Sequence, residues 1–135
     1  MEQFTNIFSL PQLMNYESNV CDYARRLAKC NGLGTFEWLD ADGFPFIYSD
    51  DIEETFVVDD LNNFYAEVEL SKKVLFAIVN LMVSNSLAWR YHEQTNCNRE
   101  MADKWSECYH SQRYYVMDSG KFTEDEVGLI LKAID

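Results

Sequence analysis

Residues Val74 to Val83 form a run that is apolar at every position but Asn80. Ten residues are about half of the roughly 20 that a bilayer span needs. A run of this length and character therefore predicts a helix buried on most of its sides, around which the rest of the chain must be arranged. Ser71 can cap it, and a more polar continuation reaches about Glu93, where Asn96-Cys97-Asn98 breaks the pattern.

The forty residues before this run differ in kind. From Asn31 to Leu70 there is no Lys or Arg, and the segment carries eleven of the chain's 23 acids. The net charge of -12 thus resides almost wholly in this stretch, and the remainder is near neutral. Such a field repels nucleic acid and anionic membrane. It attracts basic surfaces over a Debye length of roughly 10 Å. The acids are interleaved with Phe36, Trp38, Phe44, Phe46, Ile47, Phe56 and Val57, whereas acidic disordered tails lack aromatic and β-branched residues. The segment accordingly predicts folded β structure with a solvated acidic face.

Its local pattern fits. Thr35-Phe36-Glu37-Trp38-Leu39 alternates, Asp40-Ala41-Asp42-Gly43 turns, and Phe44-Pro45-Phe46-Ile47-Tyr48 returns. Asp-Gly between aromatic runs is a strong hairpin signal. Thr55-Phe56-Val57-Val58 is a third strand, Asp60-Leu61-Asn62-Asn63 a turn, and residues 64–69 a fourth strand. The expected product is a small antiparallel meander with aromatics inside, Pro45 marking an edge strand.

The flanks read as helical. Residues 1–15 show no period and are expected to be irregular. From about Tyr16, Val20, Tyr23, Ala24 and Leu27 recur at helical spacing, with Asn31-Gly32 as the stop. Met101, Trp105, Cys108 and Tyr109 mark a helix from Arg99 to about Tyr115. Thr123-Glu124-Asp125-Glu126 is a capping box that opens a last helix with Val127, Ile130, Leu131 and Ile134 inward. The fold class is α+β, a small antiparallel meander packed against several helices, in one domain over residues 1–135. One core is expected to hold Phe36, Trp38, Phe46, Leu75, Ile78, Val79 and Met82.

Chemistry-bearing constellations are weak. His92, Cys97, Cys108 and His110 are zinc-ligand types, but Cys108 and His110 fall about 200° apart on a helix and the spacing fits no zinc pattern. Asp40-Ala41-Asp42-Gly43 resembles the start of a calcium loop, yet the glycine comes two places early and no ligands follow. There is no GxSxG nucleophile motif and no glycine-rich phosphate loop. The reading is no catalytic residue, no metal and no cofactor. Without a signal peptide or a CxxC pair, Cys21, Cys30, Cys97 and Cys108 are expected as free thiols in a cytoplasmic protein. The candidate partner-binding residues are Asp40, Asp42, Asp50, Asp51, Glu53, Glu54, Asp59 and Asp60, which form an acidic surface for a basic protein partner.

The order of elements carries a resemblance. Gly34-Thr35-Phe36-Glu37-Trp38-Leu39 precedes the turn Asp42-Gly43-Phe44-Pro45-Phe46, and Glu69-Leu70-Ser71 opens onto the apolar helix. A helix with Met101, Trp105, Tyr109 and Arg113-Tyr114-Tyr115 follows, and Ile130-Leu131-Lys132-Ala133-Ile134-Asp135 comes last. This resembles the ArdB/KlcA antirestriction family over about residues 14 to 135. The family's paired hairpin glycines are here Gly43-Phe44, and its Ala-Gly after the helix start is Val74-Leu75. The resemblance implies a compact, non-enzymatic α+β domain that inhibits a host type I restriction endonuclease on behalf of a mobile element. It also adds Asp135, matched to the family's terminal Ile-Asp, as a second contact. Contact with the nuclease complex away from its DNA groove is favoured over DNA mimicry. An immunity or antitoxin-type protein, or an anti-CRISPR inhibitor on another basic nuclease surface, is the alternative.

Overall fold

The computed structural model describes residues 1–61, 63–94 and 97–135. The chain runs through a 3-10 turn at Glu2–Phe4, then α1 (Leu10–Ala28), β1 (Glu37–Ala41), β2 (Phe44–Tyr48), β3 (Thr55–Val58) and β4 (Val68–Ser71). It closes with α2 (Lys72–Glu93), α3 (Arg99–Asp118) and α4 (Glu124–Ile134). The class is α+β, with the helix carrying the apolar run at its centre. In α2 every residue from Val74 to Leu81 is buried.

Helix α1 starts earlier than periodicity suggests. Ser9 accepts a hydrogen bond from the Gln12 N–H while Gln12 Oε1 accepts one from the Ser9 N–H, and Pro11 sits in the first turn. That is a capping box with a helix-compatible proline, so residues 1–15 are not irregular as expected. The helix also ends before Asn31-Gly32, because Lys29 adopts a left-handed conformation (φ 55°) and its N–H bonds the carbonyls of Arg25 and Arg26. Its inner stripe is Leu13, Tyr16, Val20, Ala24 and Leu27.

The strands do not form one meander. They form two separate two-stranded antiparallel sheets, β1–β2 and β3–β4. In the first, Ala41 pairs with Phe44, leaving the two-residue loop Asp42-Gly43 with φ of 55° and 92°. Both values suit a type I′ turn, the hairpin turn that Asp-Gly favours. In the second, Thr55 pairs with Ser71 and Val58 with Val68, so the last strand is 68–71 rather than 64–69. The expected turn through Asn62 and the break through Asn96 fall partly on residues 62 and 96, outside the described residues.

A physical cause for the split lies in α2. The side chain of Asn80, fully buried, donates through Nδ2 to the Ile47 carbonyl (2.7 Å) and accepts through Oδ1 from the Ile47 N–H (2.9 Å). One amide thereby takes both main-chain groups of Ile47, which β2 would otherwise offer a further strand. Asn80 Nδ2 also donates to the Phe76 carbonyl, and Oδ1 accepts from the Tyr16 hydroxyl at 2.6 Å. Gln112 of α3 extends the network. Its Nε2 donates to Tyr16 Oη and the Pro45 carbonyl, each at 2.8 Å, and its Oε1 accepts from the Ser84 hydroxyl. Every hydrogen-bonding group of Asn80 is satisfied, as burial demands.

The expected core is present. Phe46, Leu75, Ile78 and Val79 are fully buried, with Phe36, Trp38 and Met82 half-buried against them. Trp105 stacks between Phe8 and Tyr16, with ring centroids 4.2 and 5.3 Å away. In α4, Thr123 and Glu126 form the reciprocal capping box read from the sequence, and Ile130 is buried.

Candidate partner-binding face

The acidic segment is positioned by backbone bonding rather than by a sheet. After β2 the chain turns at Ser49, whose hydroxyl accepts from the Asp51 N–H. Asp51 Oδ1 then accepts from the N–H groups of Glu53 and Glu54, each at 3.0 Å. The Asp51 and Glu54 carbonyls in turn accept from the N–H groups of Lys73 and Lys72, at 3.0 and 2.9 Å. Ser71 caps the helix by accepting from the Val74 N–H. The loop 51–54 is thus stitched to the first turn of α2, satisfying donors that a helix start leaves open.

The nine candidate acids divide by what they touch. Asp40 accepts from the Gly43 N–H and closes the hairpin turn, so the calcium-loop likeness resolves into a β-turn. The two N–H bonds from Glu54 and Glu53 hold the Asp51 carboxyl below the ordinary range. Asp59 is paired with Lys29 at 2.8 Å and its carboxyl is lowered by that hydrogen bond. Asp135 makes a two-pronged pair with Arg113 (2.8 and 3.4 Å), which lowers its carboxyl too. Asp42, Asp50, Glu53, Glu54 and Asp60 are exposed and make no side-chain ion pair among the described residues.

They are not one continuous array. Asp50, Asp51 and Glu53 line a cleft of about 400 Å³, together with Thr35, Glu37, Ser49 and Lys72. Asp59 and Asp60 line another hollow beside Tyr23, Arg26 and Lys29, where Arg26 of α1 and Lys29 at its end supply opposite charge. Asp40 and Asp42 sit at the β1–β2 turn, and Asp135 lies against α3. The cleft residues Glu37, Thr35 and Lys72 were not among the candidates. Lys72 in particular gives no sequence signal, because a lysine at a helix start reads as an exposed side chain.

The other sequence candidates separate. His92 and His110 are exposed and line a shared groove with Trp89 and Tyr109. Cys97 is exposed, while Cys108 is buried in the core, where burial pushes its thiol up and leaves it inert. All four cysteines are free thiols. No group of three metal-ligating side chains occurs among the described residues, and no helix among them is long and apolar enough to cross a membrane.

No family sequence model matches the chain, and no curated protein matches it in sequence. The α+β arrangement of two hairpins on a central helix nevertheless has a counterpart among solved structures. A structure from work on the KlcA and ArdB proteins superposes with a TM-score of 0.72, covering 98% of this chain and 85% of that one at 20% identity. Those proteins are described as having a novel fold and antirestriction activity against type I DNA restriction systems in vivo but not in vitro. The chain described here has the KlcA/ArdB fold.

Proposed function

We propose that this protein is an antirestriction protein that relieves type I restriction in a bacterial host by contacting the restriction complex, without enzymatic activity and without a cofactor. The observation that carries this reading is the fold, shared with KlcA and ArdB along 98% of the chain. The nuclease, a DNA-handling enzyme, offers the basic surface that the acidic segment suits, and the site of action is the cytoplasm.

Two features favour a contact outside the DNA groove. Eleven carboxylates at the duplex spacing of one charge per roughly 1.7 Å would span only about 19 Å. Four of the nine candidate acids, moreover, are already engaged within the protein: Asp40 with Gly43, Asp51 with its own loop, Asp59 with Lys29 and Asp135 with Arg113. A phosphate mimic needs free carboxylates in register. Here the free ones are scattered over two hairpins and a connecting loop.

The test is plating of unmodified phage on a type I restricting host that expresses this protein. Plating efficiency is expected to rise toward that of a non-restricting host, and no rise rejects the proposal. A companion competition with purified enzyme and labelled specific DNA separates the mechanisms. Stoichiometric displacement of the DNA would hand the case to mimicry.

A further inference from the structure

The cleft between β1, the loop after β2 and the start of α2 contains a cation with no contacting acceptor among the described residues. Two lysines open α2, at the end where the helix dipole disfavours positive charge. Lys73 is compensated by Glu126 of α4 at 2.8 Å. Lys72 has no such contact: only 4% exposed, it makes no ion pair and no side-chain hydrogen bond among the described residues, though its charge reaches Asp51 through space and helps lower that carboxyl. An ammonium with no contacting protein acceptor must be met by water or by a ligand. Gly34 has a φ of +71°, and a Cβ there would stand 3.1 Å from Lys72 Nζ. Glycine therefore leaves the room in which the ammonium lies. Among the described residues the one sealed side-chain nitrogen or oxygen lacking a partner is Trp105 Nε1. Lys72 Nζ thus keeps an opening, and the cleft it lines is that opening.

The rim has the opposite sign. Glu37, Asp50 and Glu53 are exposed around the cleft and make no ion pair among the described residues. A simple anion is repelled by three carboxylates, and a bare metal ion is repelled by the ammonium. The chemistry that satisfies both is a cation joined to a neutral acceptor: a guanidinium for the rim and a carbonyl oxygen for Lys72 Nζ. An arginine residue in an extended polypeptide carries both groups a few ångströms apart, and about 400 Å³ accommodates its side chain and adjoining main chain. We infer that this cleft is a receptor for an arginine-bearing segment of a protein partner, with Lys72 donating to its main-chain carbonyl and Glu37, Asp50 and Glu53 accepting from its guanidinium. The inference rests on the partner reading above and gives it a specific site.

The test uses the full chain and two probes, N-acetyl-arginine amide and n-propylguanidinium, titrated against backbone amide NMR signals of residues 34–37 and 48–53. A hydrogen bond to a charged group is worth roughly tenfold in affinity, so the amide is expected to bind about tenfold tighter than the bare guanidinium. In Lys72→Met the gap is expected to shrink below about twofold, and in Lys72→Arg, which keeps a donor, to persist. Asp50→Asn with Glu53→Gln, both at exposed positions, weakens both probes together. Equal binding of the two probes to the unmodified protein overturns the inference, as does an absence of shifts at the cleft. Neither outcome depends on a variant that folds. Restriction relief by a protein whose cleft binds neither probe rejects the cleft alone. A cleft that binds as stated in a protein inert against restriction rejects the partner reading alone.

Discussion

Asn80 decides more of this structure than any apolar residue beside it. Its amide closes four hydrogen bonds in the core, two of them to the Ile47 main chain and one to the buried Tyr16 hydroxyl. Asn80→Leu keeps the volume but leaves the Ile47 N–H and carbonyl and the Tyr16 hydroxyl short of partners. Each orphaned group costs roughly 1–3 kcal/mol, so a loss of about 4 kcal/mol is expected in urea unfolding. A loss below about 1 kcal/mol would show that the network is ornamental. Read from the sequence, Asn80 is a single polar letter in an apolar run. Its meaning lies in Ile47 and Tyr16, 33 and 64 residues away, and no local pattern reveals those distances. A lone asparagine in such a run is still a usable flag, since an amide there must find buried partners.

Among the elements, what was legible was whatever local chemistry decides. The Asp-Gly turn, the Ser71 cap and the Thr123–Glu126 capping box all appear where the sequence placed them. The start of α1 is equally local, but the box that Ser9 and Gln12 form around Pro11 is a capping signal and not an apolar period, so a reading by period leaves residues 1–15 irregular. Strand partnership was not legible, because β2 is closed by a side chain from α2 and not by β3. The cleft was half legible: its acids stand out in the sequence, its buried lysine does not. One contact between elements has a pH signature. Glu126, on α4, is largely shielded with Lys73 of α2. Burial pulls its carboxyl up, but the bonds from Lys73 and Thr123 prevail and hold it below the ordinary value. Because the folded state lowers this carboxyl, its stabilisation is complete above the unfolded value of about 4.3 and fades as pH falls through the lower folded value. Glu126→Gln is expected to destabilise by about 2 kcal/mol at pH 7, and less at pH 3, in paired urea titrations. An equal deficit at both pH values would contradict the ion pair. Glu126→Ala, which strands Lys73, should cost more, about 3 kcal/mol.

At the scale of the whole molecule the charge is segregated but only partly available. Steering of a basic partner should depend on the exposed acids. The combined neutralisation of Asp42, Asp50, Glu53, Glu54 and Asp60 is expected to slow association with the target by on the order of tenfold at low salt and to flatten its salt dependence. Stopped-flow or surface-binding kinetics at two ionic strengths would check this, and an on-rate indifferent to salt would reduce the acids to a solubility feature. Asp40, Asp51, Asp59 and Asp135 belong outside that set, since their carboxylates bond within the protein. Among the described residues no ladder joins the two sheets. Hydrogen-bonded sheets open as one unit, whereas hairpins moored separately to a helix can breathe on their own. The β3–β4 hairpin has two short strands and an exposed Val57, while β1–β2 is pinned by Asn80 and Gln112. The β3–β4 hairpin can loosen by itself, while the amides of α2 beyond its first turn keep their protons.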